Sequence, residues 1–238
     1  MNKQISVYKR HRFPDAVISR AVWLYYRFSL SFREVEELLA ARGVVVSYET
    51  IRQWCFKFPS SYAKKLRKSA GKLGDTWYLD EVFINIRGEQ HYLWRAVDQD
   101  GDELDILVQR RRNKQAALRF FRKLFRKTGI RPHKIVTDKL RSYRAALKEL
   151  SPGTRHVTDR YENNRAELSH QPTRQRERKM RRFKSTRQAQ QFLSFHGVLN
   201  NLFRQQRHLM SAKNYRTLRD RAFAIWQQDT CACWTESV

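Results

Sequence analysis

From residue 12 to about residue 60 the hydrophobic positions recur at helical spacing, and beyond residue 75 they change to the pattern of strands. Phe13-Pro14-Asp15 opens a first predicted helix, with Pro14 suited to the first turn and Val17, Val22, Leu24 and Tyr25 among its apolar positions. Ser31 and Glu34 have the spacing of a capping box, Val35, Leu38 and Leu39 form the stripe behind it, and Gly43 marks a stop. After Val44-Val45-Val46, Ser47 caps a third helix on which Ile51, Trp54 and Phe58 fall at i, i+3 and i+7. Two short helices with a tight, glycine-containing connection fit a helix-turn-helix. They fit an ordinary helical bundle with a solvated face equally well. As a helix-turn-helix, the third helix presents Glu49, Arg52, Gln53 and Lys57 to base edges and phosphates.

SYAKKLRKSAGKLG is basic and glycine-containing, and it places a linker over residues 63–74 after a helical domain at 1–62. TWYLDEVFINI then reads as a strand covered on both faces, EQHYLWRAVD as a second and ELDILVQ as a third, with Asp100-Gly101 at the corner between the last two. The acidic turn Asp98-Gln99-Asp100-Gly101-Asp102 has its glycine in the wrong place for an EF-hand and is read as a hairpin. Asn113 to Lys127 is amphipathic, with Ala116, Ala117, Phe120, Phe121, Leu124 and Phe125 on one face. A strand at Ile135 to Asp138, a helix at Leu140 to Leu150 and a short strand at Arg155 to Thr158 complete a mixed sheet flanked by helices, an α/β domain over 75–205, with a helical tail at 206–238. That order resembles the ribonuclease H-like fold.

Charge narrows the partners. Forty-nine Lys and Arg stand against 23 Asp and Glu, a formal charge of +26, so a polyanion, double-stranded DNA first of all, is the expected partner. No apolar run has membrane-spanning length and no signal peptide opens the chain, so a cytoplasmic protein is expected, nucleoid-associated when bound to DNA. Cys55, Cys231 and Cys233 are an odd count and are read as reduced thiols, since Cys231-Ala-Cys233 has no second ligand pair for zinc.

Three carboxylates invite chemistry. Asp80 lies inside the strongest strand, on the face of Tyr78, Val82 and Ile84, where an arginine or a metal must compensate its lost hydration. Alternation puts Glu81 on the other face, away from any ion held by Asp80. Asp138 ends a short apolar strand, where it serves either as a ligand or as the cap of the following helix. Glu167 follows Asn164 at capping-box spacing, yet His170 and Arg174 share its stripe, so cap and ligand are both open. Pro172 predicts a kink or break in that helix. Glu162 is the nearest other acid. Behind Glu167, Arg174, Arg176, Arg178, Lys179, Arg181, Arg182 and Lys184 form a run suited to DNA phosphates.

WYLDEVFI, HYLWRAVDQDGDELDILVQRRRNKQAALRFFRKL, IVTDKLRSYRAAL and YENNRAELSHQPTRQRERKMRRFKS together resemble the signature of the DDE transposases of bacterial insertion sequences, in particular the insertion sequence six family. The resemblance implies Asp80, Asp138 and Glu167 as the catalytic, metal-binding acids, with two Mg²⁺ or Mn²⁺ ions. Lys139, His170 and Arg174 become candidates for supporting or phosphate contacts. It implies nicking at a 3′ end of the element, joining to target DNA by a cointegrate route, and a homo-oligomer acting on paired ends, with no membrane partner. A DNA-binding regulator without catalysis and a ribonuclease H-like nuclease are the rival expectations.

Overall fold

A computed structural model of the chain describes residues 7–71, 73–158, 171–180, 183–204 and 210–231, apart from the side chains of 171–173 and 179. In chain order its elements are α1 (Asp15–Arg27), α2 (Phe32–Ala40), α3 (Tyr48–Lys57), α4 (Pro59–Ser69), β1 (Thr76–Ile86), β2 (Glu89–Asp98), β3 (Glu103–Gln109), α5 (Lys114–Thr128), β4 (Lys134–Thr137), α6 (Arg141–Leu150), β5 (Arg155–Thr158), α7 (Gln171–Lys179), α8 (Thr186–Phe203) and α9 (Ala212–Thr230). They form two compact units, residues 1–71 with 198–238, and residues 72–197.

The first unit is helical. Ser31 and Glu34 make the expected capping box at the start of α2, and the Ser47 side chain accepts from the Thr50 backbone N–H at the start of α3. Each satisfies backbone donors that a helix start would otherwise leave bare. Ile51, Trp54 and Phe58 are buried, as their spacing predicts. Residues 63–69, expected as linker, are instead the second half of α4. The physical reason is that Tyr62, Ala63 and Leu66 give this lysine-rich stretch one apolar face, and all three are buried. The C-terminal segment, expected as a separate tail, joins the same unit: Trp226 of α9 meets Tyr62 edge-on at 5.6 Å between ring centroids, and the Tyr8 hydroxyl donates to the carbonyl of Thr230. The division between units falls within α8, at 197/198, rather than at 205/206.

The second unit holds a five-stranded sheet in the order β3-β2-β1-β4-β5. β1, β2 and β3 pair antiparallel, while β4 and β5 run parallel to β1. This is the mixed, helix-flanked α/β sheet of the ribonuclease H-like order. Trp77, Leu79 and Trp94 meet Phe120, Phe121 and Leu124 of α5 and Tyr143 of α6 in the main core, each large side chain contributing roughly 1.5–3 kcal/mol through burial. Asn113 caps α5 by accepting from Ala116 N–H, and Gly129 ends it at φ 73°, where a side chain would be strained. Asp98 organises the acidic hairpin by accepting from the N–H groups of Asp100 and Asp102 at 3.0 and 2.9 Å. Buried Asp105 is compensated by Lys123 and Lys127 from α5. Among the described residues Pro172 falls within α7, Gln171–Lys179.

Candidate active site

β4 is four residues long, and its pairing with β1 ends at Thr137 opposite Leu79. The next residue after β4 is Asp138, at that strand's carboxyl end, where α/β sheets open a crevice, and the next on β1 is Asp80, inside the longer strand. Thr158, the last residue of β5, pairs with Thr137, so the chain leaves β5 at this same end of the sheet. Asp80 is opposite Arg95 of β2 in register, and Arg95 pairs with buried Glu103 at 3.0 Å.

Carboxylate oxygens of Asp80, Glu81 and Asp138 lie within 4.8 Å of one another. Strand alternation predicted Glu81 on the far side from Asp80, and the backbone does alternate. The side chains nevertheless converge, because Asp80 Oδ1 folds back to accept from the Glu81 N–H at 2.8 Å and Asp138 stands past the end of β4. The Glu81 side chain is 2% exposed. One of its oxygens accepts from the Tyr143 hydroxyl at 2.6 Å, and the other is paired with the Arg112 guanidinium. Arg112 also reaches Asp138 Oδ2 at 3.2 Å, while Asp138 Oδ1 accepts from the Leu140 N–H at 3.0 Å. Asp138 does not cap α6, whose cap position is Leu140 and carries no side-chain cap bond.

The electrostatics follow from this crowding. Burial, joined by the charges of Asp138 and Asp80, pushes the Glu81 carboxyl up to about 7 against the opposing hydrogen bond from Tyr143 and the charge of Arg112. Burial and then the charge of Asp80 raise Asp138 against the Leu140 N–H and Arg112. Arg112 is paired with two of these three acids, Glu81 and Asp138, and carboxylates crowded in this way favour a cation. All three offer oxygen, the donor set of hard divalent ions, so the residues fit a divalent metal.

Of the other residues expected from sequence, Lys139, Arg174, Arg178 and Lys184 are exposed. Arg176 is not available to phosphates: it is buried, with its guanidinium 5.3 Å from the Phe192 ring centroid. Helical period explains this, since Arg176 falls on the face of α7 that packs inward. On α3, Gln53 and Lys57 are exposed, and Arg52 is held by Glu49 at 2.7 Å. Glu167, His170, Arg181 and Arg182 lie outside the described residues, as do the rival acid Glu162 and the side chain of Lys179. Sequence reasoning missed Arg112 and Tyr143 and excluded Glu81. Their only sequence signal is position: Glu81 adjoins Asp80, and Arg112 sits in the short β3–α5 connection.

Residues 74–206 match the family model of a DDE domain. The transposase for insertion sequence element IS257 in transposon Tn4003 of Staphylococcus aureus is 31% identical over 171 residues, covering 70% of this chain and 76% of that protein. The transposase for insertion sequence-like element IS431mec of Staphylococcus aureus strain Mu50 has the same identity and coverage. Among solved structures, the HTLV-2 integrase catalytic core domain in complex with magnesium aligns at a TM-score of 0.36 and 14% identity, over 66% of this chain and 88% of that one, too weak a likeness to build on. The family model and the staphylococcal relatives together establish that the chain belongs to the DDE transposases of bacterial insertion sequences.

Proposed function

We propose that this transposase nicks its element at a 3′ end and joins that end to target DNA, with α2 and α3 as a helix-turn-helix on the terminal inverted repeat and the α/β unit as the site of phosphoryl transfer. One observation supports the catalytic half: three carboxylates converge within 4.8 Å, on β1 and just past the carboxyl end of β4. Asp80 and Asp138 would hold the metal with Glu167 as the third acid of the family pattern, in a site for two Mg²⁺ or Mn²⁺ ions. When bound, such ions lower the pKa of the attacking hydroxyl or water and neutralise the leaving oxygen. In the nick, a water oxygen bonds to phosphorus, the bond from phosphorus to the 3′ oxygen breaks, and that oxygen leaves as a hydroxyl. In the joining step the new 3′-hydroxyl bonds to a target phosphorus, and the target's own 3′ oxygen leaves with the proton. No bond between protein and DNA is needed. Exposed Arg174, Arg178 and Lys184 would hold phosphates, with Lys139 beside Asp138. On α3, exposed Gln53 and Lys57 face the repeat and Glu49 orients Arg52. Joining two ends calls for an oligomer.

Strand transfer in vitro tests the reading, using labelled element-end DNA with Mg²⁺ or Mn²⁺ and the variants Asp80→Asn, Asp138→Asn and Glu167→Gln. The expected result is joined product from the wild type, lost in each variant while end binding persists. Undiminished joining by Glu167→Gln would move the third role to Glu162. Binding without cleavage by the wild type would leave a regulator, and cleavage without joining a nuclease.

A further inference from the structure

On the α5 side of the sheet, along its β3 edge, lies an open groove of about 1240 Å³. That exceeds the roughly 300–1,000 Å³ of a small-molecule pocket. Arg119, Lys123 and Arg126 of α5 line it, together with Arg111 after β3, Arg87 at the tip of the β1–β2 hairpin, and Lys184. The one acid in the lining, Glu89, is paired with Arg110 at 3.1 Å, and Lys123 is committed to Asp105. Arg87, Arg111, Arg119, Arg126 and Lys184 are exposed, and among the described residues they have no ion-pair partner.

Two features say what fits here. First, the edge strand is closed to an added β-strand: Gln190 accepts from the Val108 N–H at 2.9 Å and donates to the Ile106 carbonyl at 3.2 Å, occupying the backbone groups that strand addition needs. Second, Arg119 and Arg126 stand seven residues apart on one helix face, roughly 10 Å along the axis, a spread of charge that one small anion does not span and an extended polyanion does. Arg111 adjoins Arg112, which is paired with Asp138, so the groove wall continues into the acidic cluster.

We propose that this groove grips the phosphate backbone of duplex DNA independently of base sequence, outside the tract read by α3, and leads that backbone to the acids. The proposal rests on the transposase reading above, which requires a DNA path beyond the inverted repeat. Unpaired cations in a broad groove contribute through counterion release, each phosphate contact adding about 0.9 to the slope of log K against log salt.

The test uses the full chain and a 30-base-pair duplex without the inverted repeat, with binding followed by fluorescence anisotropy across a salt series. Wild type is compared with Arg119→Ala/Arg126→Ala and with Arg144→Ala/Lys148→Ala, which removes equal charge from the exposed face of α6. The groove variant should lower the slope by about 2, so that the wild type's advantage shrinks about tenfold between 50 and 200 mM salt. Its thermal unfolding should be unchanged, and the α6 variant should bind nearly as wild type does. Wild-type binding with an unaltered groove variant would overturn the groove alone. So would equal losses in both variants, which would make the effect one of bulk charge. A wild type that binds neither this duplex nor element-end DNA would overturn the DNA reading itself and the groove with it.

Discussion

The Tyr143 hydroxyl donates a 2.6 Å hydrogen bond to Glu81, and both side chains are withdrawn from solvent, Tyr143 completely and Glu81 to 2% exposure. Burial, then the charge of Glu81, raises the tyrosine well above its ordinary range, so it stays protonated and remains a donor. Tyr143→Phe keeps the ring that meets Trp94 at 5.3 Å and removes only the hydroxyl. A buried carboxylate oxygen then loses its donor, at a cost of roughly 1–3 kcal/mol. The expected outcome is a lower urea midpoint with an unchanged m-value, and a higher Mg²⁺ concentration for half-maximal strand transfer. Unchanged values for both would mean that Glu81 is satisfied from elsewhere.

Glu81 also sets a pH dependence. Its carboxyl rises from an ordinary 4.5 to about 7 in the folded protein. Between those values the unfolded chain releases the proton while the folded chain keeps it, so the unfolded state binds fewer protons and stability falls as pH rises. Below about 4.5 and above about 7 this contribution is flat. Metal-free protein should therefore lose thermal stability between pH 5 and 7, and Glu81→Gln should reduce that slope. Divalent metal should flatten it as well, because it favours the ionised cluster. A slope identical in Glu81→Gln would assign the titration to another group.

Much of this arrangement was open to sequence reasoning because it depends on local period. The stripe Ile51, Trp54, Phe58 and the apolar face of α5 are buried as spacing predicts, and Asp80 and Asp138 come together because a short parallel strand ends beside a long one. Glu81 was not readable in the same way. Strand alternation fixes where Cβ points, whereas a carboxylate reaches two bonds further, and beside Glu81 the neighbouring strand β4 has already ended. Arg112 lies in the connection between β3 and α5, where no period applies. Arg176 illustrates the opposite difficulty: nothing in composition separates it, packed on Phe192, from Arg174 and Arg178, which are exposed. The linker expectation at 63–74 gave composition more weight than the stripe of Tyr62, Ala63 and Leu66.

Arg112 pairs with both Glu81 and Asp138, so Arg112→Ala leaves two crowded acids without their cation. Arg112 is 34% exposed, and water offsets part of the loss, which places the expected destabilisation at roughly 1–3 kcal/mol. A bound ion stabilises by mass action, about 2.7 kcal/mol at a hundredfold excess over its Kd. In Arg112→Ala the acids are more exposed to one another's charge, so Mn²⁺ should raise the melting temperature by more than it does in wild type. Differential scanning fluorimetry in EDTA and in a Mn²⁺ series measures both quantities. A smaller Mn²⁺ response in the variant would mean that Arg112 shapes the acids for the ion rather than standing in for it.

Arg87 joins stability to the groove. It holds φ 55° and Gly88 holds φ 87°, a two-residue hairpin connection whose first position favours Asn, Asp or Gly. A left-handed backbone costs an ordinary residue roughly 1–2 kcal/mol, and less for Asn. Strain of this kind at an exposed tip is retained where the side chain is needed. Arg87→Asn should therefore stabilise the protein, by up to about 1 kcal/mol, while lowering the salt slope of duplex binding by about 0.9. Chemical denaturation and the anisotropy series read the two effects on the same sample. Opposite signs, more stable but weaker on DNA, would identify Arg87 as a cation kept for its charge. A variant that is less stable and binds DNA as wild type does would make Arg87 a structural residue of the hairpin and remove it from the groove.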